Sequence, residues 1–357
     1  MRRAMGTVAL AALVLPVAGS GYTIAPLDAI HERFAWMSES CAAANPVPVD
    51  GRIRCAFDDS AIRASANKVP TKPGEQTPIE TAVRWGDDPG HATSSLGAGD
   101  TAGYLIQFRT CEGQVRDDGK LNTIYRAGVM CSGHYGRLGF FHAMMSVDDA
   151  ALTDTGQAQK NTRDKILAWA SFTYRVAKGE IAPDDKFCST VSKDKVLAQV
   201  FDDGASCRDA DAKWTVRRFF TFACANPKLD KSCDMTKDIS DAAVRLSALG
   251  ALLHMIQDSY AQGHVRRLDQ PERDSRKNRL LPVVACAAPK QFYYYDKANR
   301  DDGHSEADAV PAVELCGPKA EVDDPVSAGA TAMWMLRTNK SAGLFMAYLT
   351  RRVFPPR

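Results

Sequence analysis

The chain has 357 residues, of which 45% are hydrophobic, 25% charged and 8% aromatic. That balance suits a globular protein with a large core and excludes a disordered or membrane-embedded chain. With 45 Lys and Arg against 43 Asp and Glu, no global field draws in nucleic acid or an anionic membrane, so an anionic substrate must be held locally.

Residues 1–21, MRRAMGTVALAALVLPVAGSG, carry two early arginines, an apolar run and then small residues, the layout of a secretory signal. No other run approaches the ~18–20 apolar residues that span a bilayer. The expectation is an exported protein, secreted or periplasmic, whose mature domain occupies 22–357 and starts between Ser20 and Pro26.

Apolar residues at intervals of three and four then predict helices over Leu27–Cys41, Leu138–Met145, Arg163–Lys178, Trp214–Ala225, Ser240–Gln262 and Val326–Val353. The fifth is the clearest, with Ser240 as N-cap, Asp241 in the first turn, Val244, Leu246, Leu249, Leu252, Leu253 and Ile256 inside, and Gly263 as a stop. Gly- and Pro-bearing stretches over Ser65–Pro78 and Asp87–Gly99 read as loops. Thr101–Phe108 and Phe292–Tyr295 read as short strands. The fold class expected is all-α, a mostly helical single domain.

Ten cysteines form an even set that suits an oxidising compartment and a disulfide-stabilised fold, and none lies in a CxxC pair. Sequence neighbours are the simplest partners: Cys41 with Cys55, Cys111 with Cys131, Cys188 with Cys207, Cys224 with Cys233, Cys286 with Cys316.

The stretch ALLHMIQDSYAQGHV places His254, Asp258 and His264 in an apolar, helix-like run. His254 and Asp258 are four residues apart and point from one helix face, as two ligands of one metal ion would. His264 would sit about 80° away on a continuous helix, so it reaches the same place only if the helix breaks near Gly263. His304 and Asp308 repeat the four-residue spacing. His31 lies in the first helix, His142 follows two phenylalanines in LGFFHAMM, and Asp87 follows a tryptophan in RWGDD. Imidazoles with carboxylates and no thiolate suit zinc, and eight such ligands exceed what one tetrahedral ion uses, which points to two or three ions. Asp88 is open as a replacement for Asp87. His91 and His134, in Gly-rich surroundings that read as solvent-exposed loop, are open as replacements for His142.

In that order and spacing the residues resemble the zinc-dependent phospholipase C and S1/P1 nuclease superfamily. The resemblance rests on His254, Asp258 and His264, on the later His304 and Asp308 pair, on Trp85-Gly86-Asp87 with His142, and on the early His31. It implies a trinuclear zinc site on a helical, disulfide-containing secreted fold, with His31, Asp87, His142, His254, Asp258, His264, His304 and Asp308 as ligands. Asp87 would also orient the attacking water and Asp258 would bridge two ions. The sequence departs from the family in the long gap between Asp87 and His142, in Gln262-Gly263 where a proline is usual, and in lacking a tryptophan at the mature amino terminus. The activity implied is phosphodiester hydrolysis, with phospholipids as the favoured substrate, transient contact with a membrane surface, and single-stranded nucleic acid as the alternative. A non-catalytic zinc-binding relative is the rival from another class. Arg266 and Arg267 read as part of a solvated basic loop or as a phosphate clamp, and Phe292 to Tyr295 as pocket lining or as packing. The absence of GxSxG and GxxxxGK[ST] leaves no support for serine hydrolysis or a nucleotide phosphate loop.

Overall fold

A computed structural model describes residues 29–44, 48, 50–55, 75–89, 126–201, 214–221, 239–261, 263–267, 273–274, 279–280, 286–295, 316 and 320–356. The expected signal segment, the Thr101–Phe108 strand, His91, His304 and Asp308 lie outside them. Within them the chain is mostly helical. The helices are α1 (Ile30–Ala44), α2 (Pro78–Val83), α3 (Arg126–Tyr135), α4 (Val147–Ala150), α5 (Thr155–Lys178), α6 (Phe187–Val191), α7 (Lys195–Phe201), α8 (Val216–Thr221), α9 (Asp241–Asp258), α10 (Pro325–Arg337) and α11 (Ala342–Arg352). Two antiparallel pairs of two-residue strands complete the regular structure: β1 (Val265–Arg266) with β4 (Gln291–Phe292), and β2 (Arg273–Asp274) with β3 (Arg279–Leu280).

Helix α9 is the axis of the fold. Ser240 caps it as expected, its hydroxyl accepting from the Ala243 amide at 3.2 Å. Leu246 and Leu249 are only half-buried, but from Gly250 to Asp258 every residue is buried, because α5, α2, α8, α10 and α1 all pack on this helix. Gly250 permits the closest of these approaches: a β-carbon there would stand 2.0 Å from the Ala82 carbonyl oxygen of α2. Helix α1 lies on α10 and α2, fixed by the Ser38 hydroxyl donating to the Val326 carbonyl at 3.0 Å and by the Cys41–Cys55 disulfide. The Cys286–Cys316 disulfide also forms as expected. Cys131 and Cys188 are disulfide-bonded too, to partners outside the described residues.

Three expected elements differ in form. Leu138–Met145 is a single 3-10 turn, Gly139–His142, ended by Ala143 at a left-handed φ of 53°. Val326–Val353 is two helices, because Asn339 turns the chain at φ 56° between α10 and α11. Pro78 opens α2 instead of ending a loop: Thr77 and Glu80 form a reciprocal capping box, and the proline occupies the first turn, where it lacks no needed amide. No described helix is long and apolar enough to cross a membrane.

Candidate metal centre

Six of the eight ligand candidates fall among the described residues: His31, Asp87, His142, His254, Asp258 and His264. All six converge at the C-terminal end of α9, and a seventh residue, His134, joins them. Each of the five imidazoles is at most 1% exposed, Asp258 is fully buried and Asp87 is 7% exposed.

An aromatic floor sets the place of Asp87. Trp85 packs on Trp169, Phe141, Phe219 and Phe220, and its indole donates to the Phe220 carbonyl at 2.9 Å. The turn after α2 is thereby held so that the Asp87 carboxylate faces the imidazoles, whereas the Asp88 carboxylate faces Arg84 at 3.7 Å. Helix α9 ends at Asp258, earlier than Gly263. The turn that follows swings His264 back, and its Nδ1 donates to the His142 carbonyl at 2.8 Å.

Hydrogen bonds fix the rings. His254 Nδ1 donates to the Val83 carbonyl at 2.9 Å, His134 Nδ1 to the Met130 carbonyl at 2.9 Å, and His31 Nδ1 to Gln257 Oε1 at 2.6 Å. With His264, four rings thus spend Nδ1–H on a carbonyl oxygen, which leaves Nε2 as the nitrogen that carries a lone pair in the neutral ring. Metal-binding histidines are oriented in this way. His142 is turned the other way round, with Nδ1 donating to Asp258 Oδ2 at 2.8 Å.

The facing atoms have the spacing of ligands. Two donors about 2.0–2.1 Å from a tetrahedral zinc are about 3.3 Å apart. His254 Nε2 lies 3.1 Å from Asp258 Oδ2, His31 Nε2 lies 3.4 Å from Asp258 Oδ1, and His134 Nε2 lies 3.2 Å from Asp87 Oδ1. Three overlapping triads have one ligand atom from each member within 4.8 Å of the others: His31, Asp87 and His254; Asp87, His134 and His142; His142, His254 and Asp258. His264 belongs to none of them and stays 3.6 Å from Asp258 Oδ2 through Nδ1. Two buried atoms, His142 Nε2 and Asp258 Oδ1, make no hydrogen bond, at a cost of about 1–3 kcal/mol each. A cation is the partner this donor set fits.

Charge points the same way. Burial would raise the Asp87 carboxyl, but His254, His134 and His142 outweigh it and hold the group down to about 2. Asp258 is held well below the usual carboxylate range against its own desolvation, chiefly by His264, His254 and His31. Both are anions at neutral pH. Burial and the neighbouring His134 push His142 down to about 3, and burial lowers His264. Burial also opposes charge on His31, yet Asp258 and Asp87 raise it to about 9, so without an ion this ring is protonated at neutral pH and a metal must displace its Nε2 proton.

His134 departs from the expectation of an exposed loop residue. It sits on α3, buried, one turn after the buried Met130, and that four-residue step was the signal available in the sequence. Gln257 orients His31 through its Oε1, and its only signal in the sequence is that it adjoins Asp258. Arg267 is not part of a solvated loop: it is buried over the Tyr260 ring and spends its guanidinium on the Ser259, Ala287 and Val353 carbonyls, which leaves it unsuited to clamping a phosphate. Phe292 and Tyr295 are buried, the latter edge-on to Tyr135, while Tyr293 and Tyr294 are half-buried.

Compared with known protein families, characterised proteins and solved structures, the chain matches none.

Proposed function

We propose that this protein is a zinc-dependent phosphodiester hydrolase of the phospholipase C and S1/P1 nuclease kind, with a multinuclear centre of up to three ions. The observation that carries the reading is the meeting of His31, Asp87, His142, His254 and Asp258 at one buried point, with imidazole nitrogens and carboxylate oxygens at ligand spacing and His264 beside them. What zinc supplies in such a place is Lewis acidity, which polarises a phosphoryl oxygen and lowers the pKa of water from ~15.7 towards ~7. The chain's own residues do the rest. Asp258 offers one oxygen towards His31 and the other towards His142 and His254, as a bridging carboxylate would. Asp87, the most exposed member, is the group placed to orient a water at the edge of the centre. The aromatic floor excludes solvent and keeps these charges in a low dielectric, where they act most strongly.

Phospholipid is the favoured substrate, because the Trp-Gly start followed by Gly-His that opens many nucleases of the family is lacking. A second reading, a closed structural metal centre, is favoured by the near-complete burial of the five imidazoles, since a catalytic site keeps a position open. The deciding measurement is metal content of the purified chain by plasma mass spectrometry, together with hydrolysis of bis(p-nitrophenyl) phosphate before and after chelation. Near three zincs and chelator-sensitive turnover support the hydrolase, and liposomes against single-stranded DNA then separate the substrates. Bound zinc without turnover favours the structural centre; no zinc and no hydrolysis overturn both.

A further inference from the structure

His134 is one histidine more than the ligand pattern read from the sequence requires, and its surroundings are specific. Its Nδ1–H is committed to the Met130 carbonyl within α3. Its Nε2 faces Asp87 Oδ1 at 3.2 Å. A bare lone pair and a carboxylate oxygen repel each other at that distance, so a positive centre must stand between them: either a ring proton or a metal ion. The spacing matches the edge of a zinc tetrahedron, about 3.3 Å, and His142, whose ring centroid is 4.1 Å away, completes a triad of ligand atoms. On the same side, His142 Nε2 is buried without a hydrogen bond, and Gly133, next to His134, keeps the space beside it open: a β-carbon there would lie 3.3 Å from that nitrogen.

We propose that His134 is a metal-ligating residue, sharing with Asp87 a divalent ion on the α3 side of the centre. This rests on the reading of the cluster as a metal centre. It adds a ligand from the segment between Asp87 and His142, where the sequence departs most from the family pattern, and makes that segment part of the centre instead of a mere insertion.

The test is cobalt binding to the chelator-stripped full chain, followed by visible absorption and by competition with a chromophoric chelator, for wild type, His134→Gln and His134→Asp. Glutamine fills the same space and can donate an amide N–H to Asp87, so it replaces a ring proton but not a ligand nitrogen; aspartate restores a ligand. Expected is a loss of about tenfold or more in the affinity of one cobalt ion for His134→Gln, with an altered cobalt spectrum, and for His134→Asp a recovery of affinity with a spectrum shifted by the new oxygen ligand. Melting of the metal-free chains checks that each variant folds, and if His134→Gln does not, wild-type-like cobalt binding by His134→Asp against a spectrum shifted by the new oxygen ligand carries the comparison. Wild-type affinity and spectrum in His134→Gln, or an unshifted spectrum in His134→Asp, would overturn the assignment and leave a proton-bridged His134–Asp87 pair. If the wild-type chain takes up neither zinc nor cobalt, the metal centre itself fails.

Discussion

Gly86 shows how tightly individual residues are matched in this centre. A β-carbon at that position would lie 2.3 Å from His254 Cδ2, and the ring has no room to retreat: Nδ1 is tied to the Val83 carbonyl and the face stacks on His31 at 3.8 Å between centroids. Overpacking of this sort costs about 1–3 kcal/mol. Gly86→Ala is expected to lower the melting temperature by several degrees and to release zinc, measured on one sample by calorimetry and plasma mass spectrometry; unchanged zinc content would show that the ring is not held for a metal. Asp258→Asn is the companion test of charge. Four imidazoles face that carboxylate, so its loss should weaken zinc by more than the ~10–100-fold that outer partners of metal ligands cost. A zinc-competition titration reads this directly, and wild-type affinity would remove Asp258 from the ligand set.

At the scale of elements, what the sequence exposes is local and what it hides is tertiary. The cap at Ser240 and the four-residue step from His254 to Asp258 depend on one helix, and both hold. The end of α9 is set by the return of His264 to the His142 carbonyl, a contact across more than a hundred residues that periodicity does not see. His134 was hidden likewise: its flanking glycines look like loop, yet Gly133 serves the close approach of His142. The capping box of α2, in contrast, was written plainly in Thr77-Pro78-Ile79-Glu80. Helix α10 carries a prediction of its own. Its N-cap, Asp324, accepts from the Ser327 amide at 2.7 Å, but burial and the adjacent Asp323 outweigh that help and raise the carboxyl from 3.8 to about 6. A raised carboxyl stays protonated in the folded chain while the unfolded chain ionises, so stability falls as pH rises from about 3.8 to about 6 and the cost is complete above that window. Asparagine caps helices as well as aspartate and carries no charge. Asp324→Asn should therefore stabilise the protein above about pH 6, by on the order of 1–3 kcal/mol, and the gain should vanish below about pH 4; a gain that is flat across this range in chemical denaturation would contradict the buried-acid account.

Over the whole molecule, the centre gathers α1, the turn after α2, α3, the 3-10 turn, the end of α9 and the turn beyond it, segments that run from His31 to His264. Two unsatisfied polar atoms, His142 Nε2 and Asp258 Oδ1, sit where these elements meet, and an ion there supplies the partner they lack. An ion that binds only the folded chain adds about 2.7 kcal/mol per site at a hundredfold excess over its dissociation constant. For a chain of more than 250 residues each kcal/mol moves the melting temperature by roughly 2 °C. Stripping the metal should thus lower the melting temperature by about 5 °C for one ion and by more for two or three. Zinc should restore it and calcium should not, since neutral imidazoles are poor ligands for a hard, oxygen-seeking cation. The effect should also fade as pH falls and the histidines compete for protons, because the ligand form is the neutral ring. Equal melting curves with and without chelator at neutral pH would mean that hydrogen bonds and protonated imidazoles alone hold these six segments together.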